Sequence, residues 1–261
     1  MSKVDAIFID LDGTLLNSEK IVSIKNKQTL VQCLNKGIDI YLVSGRPIFF
    51  VDAIADSIDY RCHRIAFNGA VSKIGNDIYA HSVEKDNLKI LWDAIQKYSI
   101  NKYYFKGINS IYCSDDDSRF MYSELEEIGK IKVYKTIHSF ESISDDIYKV
   151  LLIDEDDKKL EKIIHACQNH LSITSSHIHS LDIMKNNINK GDIVKKICDE
   201  KQYKQTMAFG DDINDISLLN VVSLGFAMKN AVKCLQDKAK YITEYTNEED
   251  GVAREIYKIL R

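Results

Sequence analysis

Apolar spacing divides this chain into three stretches of different texture. In the first, short uninterrupted apolar runs alternate with helical periodicity. Residues 6–9 form one run, followed by a loop over 16–22. Leu30, Val31 and Leu34 share one face of a helix predicted over 26–36, which Gly37 stops. A second run, 38–43, leads into Ser44-Gly45-Arg46-Pro47, a helix over 49–58 and a short strand over 64–67. A hairpin with Gly75-Asn76 at its turn follows. Unbroken apolar runs between turns suit strands buried on both faces, the habit of parallel sheets.

From residue 82 the pattern changes. Leu88, Leu91, Trp92 and Ile95 mark an amphipathic helix. Strands are predicted over 102–105, 109–113 and 148–153, and helices over 120–128 and around Leu160, Ile163, Ile164 and Cys167. Residues 171–175 and 178–184 read as a strand pair. Strands and helices no longer alternate, which predicts an α+β module with a mostly antiparallel sheet. After residue 190 the alternation returns. It gives a helix carrying Ile193, Val194 and Ile197, strands over 206–209, 223–226 and 241–243, and helices over 213–220, 231–238 and 249–260. The expected architecture is α/β: a Rossmann-like, doubly wound parallel sheet core from residues 1–81 and 184–261, with residues 82–183 inserted as an α+β cap.

In such a sheet, ligands bind just beyond the carboxyl ends of the strands. The first run ends there in Asp10-Leu11-Asp12-Gly13. Side chains two apart in extended backbone point the same way, so both carboxylates can face one small volume. That crowding is unfavourable unless a cation or shared proton relieves it, and a hard divalent ion, Mg²⁺ first, meets the need. The other reading is a solvated Asp-x-Asp-Gly turn. Ser44-Gly45 offers a hydroxyl and backbone N–H groups suited to an anion, or a plain serine-capped turn. Lys190 opens a helix and could neutralise a phosphate oxygen, although most lysines are merely solvated. Gly210-Asp211-Asp212-Ile213-Asn214-Asp215 places three carboxylates and an amide at a strand-to-helix turn. Helix capping accounts for one of those acids, but not for that density.

Composition narrows the classes. The 261 residues are 45% hydrophobic and 28% charged, with net charge −4, so nothing basic points to nucleic acid. No 18-residue apolar stretch marks a membrane span, and Met1 to Asp5 lacks the apolar core of a signal peptide. Six scattered cysteines with no C-x-x-C read as reduced core residues of a cytoplasmic protein. Tyr103, Tyr104, Tyr112 and Tyr122 are expected to pack against the inserted sheet. His177 and His179 are read as alternating strand positions rather than a metal pair.

Asp10-Leu11-Asp12-Gly13-Thr14, Ser44-Gly45-Arg46-Pro47, Asn189-Lys190-Gly191 and Gly210 to Asp215 resemble, in order and spacing, the four motifs of the haloacid dehalogenase superfamily. Asn68-Gly69-Ala70, Gly225 to Ala231 and Asp250 to Ala253 resemble further signatures of its Cof-type branch (subfamily IIB), whose cap is of the C2B type. Ser44 stands where threonine is commoner. The resemblance implies a phosphatase working through an aspartyl-phosphate. Asp10 would be the nucleophile and Asp12 the acid/base. Ser44, Gly45, Lys190 and Asn214 would hold the phosphate, with Asn214 touching it or orienting Lys190. Arg46 and Asn68 are possible substrate contacts. Mg²⁺ would be held by Asp10, the Asp12 carbonyl and Asp211, with Asp215 in support. A small phosphorylated metabolite, sugar phosphates foremost, is the implied substrate of a monomer or weak homodimer. A sugar phosphomutase and a non-catalytic phospho-ligand sensor are the alternatives.

Overall fold

The computed structural model describes residues 4–115, 131–175 and 178–260. The chain divides into two compact units. One comprises Met1–Arg46, Val51–Ile78 and Asn189–Arg261; the other comprises Pro47–Phe50 and Tyr79–Ile188.

The discontinuous unit is built on an eight-stranded sheet. Its strands are β1 (Ala6–Asp10), β2 (Asp39–Val43), β3 (His63–Ala66), β4 (Val71–Ile74), β5 (Asp77–Ala80), then β12 (Thr206–Gly210), β13 (Leu224–Ala227) and β14 (Tyr241–Ile242). Their spatial order is β14-β13-β12-β1-β2-β3-β4-β5. Every pairing from β14 to β3 is parallel, and β3 meets β4 antiparallel. Ala6, Ile7, Phe8 and Ile9 are fully buried, which explains the unbroken apolar run. Burying side chains such as Ile7, Phe8 and Ile9 contributes about 1.5–3 kcal/mol each. Strand β1 is also where the order of connections reverses. Neighbours β2 and β3 follow it closely in sequence, whereas β12 and β13 come from the far end of the chain. Open α/β sheets place their ligand crevice at that switch.

The contiguous unit carries a six-stranded sheet: β6 (Lys102–Lys106), β7 (Ser110–Cys113), β8 (Val133–Thr136), β9 (Lys149–Ile153), β10 (Leu171–Thr174) and β11 (Ser180–Lys185), in the order β10-β11-β9-β6-β7-β8. All pairings are antiparallel except β7 with β8. Two helices, Lys85–Tyr98 and Asp157–Cys167, cover one face. There Leu88, Leu91, Trp92, Leu160 and Ile163 pack with Phe105, Val150, Leu152 and Ile183, and the Trp92 ring meets Tyr103 edge-on at 5.5 Å.

Several details differ from the apolar pattern. The inserted unit extends past residue 183, because Met184 and Lys185 still pair with Ser172 and Leu171. The helix predicted over 213–220 begins as a 3₁₀ turn, Ile213–Asp215, before Ile216–Asn220. That over 231–238 shortens to Lys233–Gln236, where Cys234 is exposed rather than in the core. Cys198 is half-buried; Cys33, Cys62, Cys113 and Cys167 are buried free thiols. Strand β8 was not apparent, since four residues with one buried side chain give no periodicity to read. Tyr103, Tyr104 and Tyr112 are buried in the second sheet. The helix over 120–128, Tyr122 and His177 lie outside the described residues. Among the described residues, no helix is long and apolar enough to cross a membrane.

Candidate active site

The site is assembled from the carboxyl ends of β1, β2, β3 and β12 and the start of the helix Lys190–Lys201. Asp10 is the last residue of β1 and only 5% exposed. The chain turns at Gly13 in the left-handed region (φ +72°), and a Cβ there would lie 2.2 Å from Asp211 Oδ2. Only glycine lets the β1 loop pass so close to that carboxylate. The next residue, Thr14, is fully buried and donates its hydroxyl to Asp211 Oδ1 at 3.0 Å.

Lys190 is brought in by helix capping. Asn189 caps the helix, its side chain accepting from the Asp192 N–H at 3.0 Å. Lys190 in the first turn is 1% exposed. Its Nζ donates to Asp10 Oδ1 at 2.6 Å and Asp215 Oδ1 at 2.7 Å. The other Asp215 oxygen accepts from the N–H groups of Asp211 (3.0 Å) and Asp212 (3.2 Å), closing a capping box with Asp212. Capping therefore accounts for two of the three acids of this loop. Asp212 and Asp215 hold the turn, and Asp211 is left facing Thr14 and Asp10. A Cβ at Gly210 would come within 2.5 Å of Asp215, so this turn too depends on the missing side chain.

Oxygens of Asp10, Asp211 and Asp215 all lie within 4.8 Å of one another. Three carboxylates against one ammonium leave two negative charges uncompensated. Burial, reinforced by Asp215 and Asp211, raises the Asp10 pKa despite Lys190. Burial and Asp215 push Asp211 up to about 6. Lys190 itself loses hydration, but Asp10 and Asp215 outweigh that loss and hold its ammonium above the usual range. The cluster favours whatever adds positive charge, a proton or a cation.

Asp12 has a different environment. Its carboxylate is clasped by Arg46, with Nε at 2.5 Å from Oδ2 and Nη2 at 2.6 Å from Oδ1, and Lys20 Nζ lies 2.9 Å from Oδ1. Partial burial would raise its pKa, but the hydrogen bonds from Arg46 and Lys20 outweigh that and hold it below the usual carboxylate range. Ser44 is buried after β2, and its hydroxyl accepts from the Arg46 N–H at 3.1 Å. Beside it, Phe67 and Asn68 both have positive φ (49° and 50°), an uncommon pair for non-glycine residues. That turn brings Asn68 Oδ1 to 3.0 Å from the position of a Cβ on Gly45.

Of the two roles expected for Asn214, touching the phosphate or orienting Lys190, the contacts speak to the second. Asn214 does not orient Lys190, whose partners are Asp10 and Asp215; it donates to Asn68 Oδ1 at 3.2 Å. Three contributors were not singled out from sequence. Thr14 sits inside the first motif and could have been flagged there. Asn230, which donates to the Gly13 carbonyl at 2.7 Å, lies within a quoted signature. Nothing marks Lys20, a solvated-looking lysine in a loop.

Comparisons with known proteins bear on this arrangement. The haloacid dehalogenase-like hydrolase family matches residues 7–256. A 5-amino-6-(5-phospho-D-ribitylamino)uracil phosphatase of Bacillus subtilis, YcsE, is 27% identical over 97% of this chain and 94% of its own length. A second enzyme of that name from the same organism, YwtE, is 29% identical over 97% of each. Among solved structures, a haloacid dehalogenase-like hydrolase from Bacteroides thetaiotaomicron superposes with TM-score 0.86 at 24% identity, covering 98% of this chain and 100% of the other. The subclass IIB sugar phosphatase BT4131 gives 0.80 at 22%, covering 98% and 99%, and these two likenesses speak to fold. With a family match over nearly the whole chain and full-length phosphatase relatives, this protein belongs to the haloacid dehalogenase-like hydrolases, among their phosphatases.

Proposed function

We propose that the chain is a Mg²⁺-dependent phosphatase of small phosphorylated metabolites, sugar phosphates foremost, acting through a phosphoaspartate on Asp10. The observation that carries this reading is Asp10 itself. It is a buried carboxylate at the switch point of a parallel sheet, bonded to Lys190 and within 4.8 Å of two further acids.

The residues fit a divalent cation. The donors are hard oxygens, two charges are uncompensated, and the glycine at position 13 leaves room for the Asp211 carboxylate. Asp10, Asp211 and the Asp12 carbonyl would hold the ion, with Asp215 in support; bound there, it supplies charge neutralisation and polarisation of a phosphoryl oxygen. An Asp10 oxygen attacks phosphorus as the bond to the leaving alcohol breaks. Asp12 protonates that alcohol. Water then attacks the phosphoaspartate, Asp12 takes its proton, and phosphate and Asp10 separate. The Arg46 clasp suits the second half, because it favours ionised Asp12, the base. Lys190, Ser44 and the Gly45 N–H would hold the remaining phosphoryl oxygens. Asn214 and Asn68, bonded to each other, and Arg46 are candidates for the substrate's edge. The inserted unit is proposed to select the leaving group.

YcsE, YwtE and a third Bacillus subtilis relative are named for a phosphorylated ribityl-uracil, so that compound joins hexose and pentose phosphates as a candidate. The test is phosphate release across sugar phosphates, the ribityl-uracil phosphate, nucleotides and cofactor phosphates, with Mg²⁺ and with EDTA. Turnover with Mg²⁺ that EDTA abolishes is expected. Absence of turnover across that panel, or turnover indifferent to EDTA, would overturn the reading.

A further inference from the structure

Neither C-terminal signature, Gly225 to Ala231 or Asp250 to Ala253, takes part in the reaction proposed above, yet both connect to the loop that carries Asp12. After β1 the chain makes a tight turn, in which the Leu15 N–H donates to the Asp10 carbonyl at 3.3 Å and the Leu16 N–H to the Leu11 carbonyl at 2.9 Å. Three asparagines from elsewhere in the chain hold that turn by its carbonyls. Asn230 donates to the Gly13 carbonyl at 2.7 Å, Asn247 to that of Leu16 at 2.9 Å, and the buried Asn26 to that of Leu15 at 3.5 Å. Asn230 belongs to the first signature. In the second, the Ala253 N–H donates to Asn26 Oδ1 at 3.0 Å.

Asn230 also ties this turn to the acid facing it. Its own loop is bonded to the loop of Asp211: the Met228 N–H donates to the Gly210 carbonyl and the Val232 N–H to the Asp211 carbonyl, each at 2.9 Å. The Asn230 Oδ1 accepts from the Asn247 N–H at 3.0 Å. A side chain that serves its own turn bonds within it, whereas these partners of Asn230 lie 217 and 17 residues away. An amide suits the place because it carries a donor and an acceptor on separate atoms. Gly13 explains the need. It leaves room for Asp211 Oδ2, but it also leaves the backbone between Asp12 and Thr14 free to rotate. Rotation there would shift the Asp12 carbonyl relative to the Thr14 hydroxyl, which bonds Asp211. The Asn230 bond removes that freedom. It is open to water and adds little to the stability of the fold, so its effect lies in where it places the loop.

We propose that Asn230 is a positioning residue. By holding the Gly13 carbonyl it fixes the spacing between the β1 loop and Asp211, and through that spacing it sets the affinity of the site for a divalent cation. This inference rests on the cation-dependent reading given above. Removing a group that orients a metal's ligands typically weakens binding 10–100-fold.

The experiment compares the full-length wild type with three variants. Asn230→Ala removes both side-chain bonds, and Asn230→Leu removes them while keeping the volume. Ile256→Val trims a buried side chain of the helix Gly251–Leu260 and leaves every bond named here in place. Three quantities are measured. Mn²⁺ binding without substrate is read from the paramagnetic resonance of the free ion. The Mg²⁺ concentration for half-maximal phosphate release is read with an ester the wild type turns over. Melting temperature is read in EDTA. Both Asn230 variants should bind Mn²⁺ about tenfold or more weakly and need about tenfold or more Mg²⁺, while KM for the ester at saturating Mg²⁺ stays within about twofold. Ile256→Val should keep both metal constants near wild type even though its melting temperature falls. A smaller loss of Mn²⁺ affinity in either Asn230 variant would overturn the proposal and leave the phosphatase reading standing. An equal loss in Ile256→Val would also overturn it, because general loosening of the fold would then suffice. If the wild type releases no phosphate from any ester, Mn²⁺ binding alone decides. If the wild type binds no Mn²⁺ either, the proposal and the cation-dependent reading fall together.

Discussion

Replacing Lys190 by methionine tests the electrostatic reading of the site most directly. The substitution keeps the buried stem but removes the ammonium that bonds Asp10 at 2.6 Å and Asp215 at 2.7 Å. Two outcomes are open to the stranded carboxylates. Remaining ionised and buried costs about 3–5 kcal/mol, the usual penalty of breaking a buried pair. Taking up a proton instead, from an ordinary aspartate pKa near 3.9, costs about 4 kcal/mol at pH 7, or ~1.4 kcal/mol per pH unit. The second route sets the pH dependence. The native variant would then bind a proton that the unfolded chain has released, so its stability falls as pH rises above about 4. At pH 5 the same proton costs only about 1.5 kcal/mol. Urea denaturation followed by far-UV circular dichroism in EDTA, at pH 5 and pH 7, should show the loss relative to wild type growing by more than about 2 kcal/mol between the two. Millimolar Mg²⁺ should recover part of the loss at pH 7, because it supplies the missing positive charge. A loss below about 1 kcal/mol at pH 7, or the same loss at both pH values, would refute the claim that Lys190 compensates a surplus of buried negative charge.

Asp10→Asn should abolish phosphate release while leaving the fold intact by circular dichroism; a nucleophile's removal costs several kcal/mol of barrier at ~1.4 kcal/mol per tenfold, so more than a tenth of wild-type rate would reject its role. Arg46→Met should raise the Asp12 pKa by removing its clasp, moving the alkaline limb of the kcat/KM–pH profile, where Asp12 must be protonated to act as acid, to higher pH; an unmoved limb would mean that Arg46 does not tune Asp12. Gly13→Ala places a methyl 2.2 Å from Asp211 Oδ2 on backbone with φ +72°, and should weaken activation by Mg²⁺ at least tenfold with a loss of more than about 1 kcal/mol in stability. A wild-type Mg²⁺ titration in that variant would show that the loop and the acid do not depend on each other.

The parallel core was legible because its strands are buried on both faces, and such strands leave continuous runs like Ile7-Phe8-Ile9. Long amphipathic helices were legible for the same reason: Leu88, Leu91, Trp92 and Ile95 repeat far enough to fix a period. Short elements failed that test. Strand β8 has one buried side chain in four, and the turn at Ile213–Asp215 is too brief to distinguish from the helix after it. At the site, residue types and their order pointed to the chemistry, but partnerships did not follow from order. That Asn214 bonds Asn68, and that Lys20 joins Arg46 on Asp12, depends on side-chain reach across loops distant in sequence. No spacing rule encodes such contacts.

The pairing of Ala6 with Thr206 sets the order in which this polypeptide can mature on the ribosome. Strand β1 emerges well before its neighbour β12, which is translated 200 residues later, a delay of roughly 10–40 s at ordinary elongation rates. Through that interval its wholly apolar surface can lean only on β2 and the hairpin beyond it, while the inserted unit, contiguous in sequence, can complete itself ahead of the domain that hosts it. Nascent chains stalled before residue 206 should therefore engage chaperones through β1, and release them once β12 clears the exit tunnel.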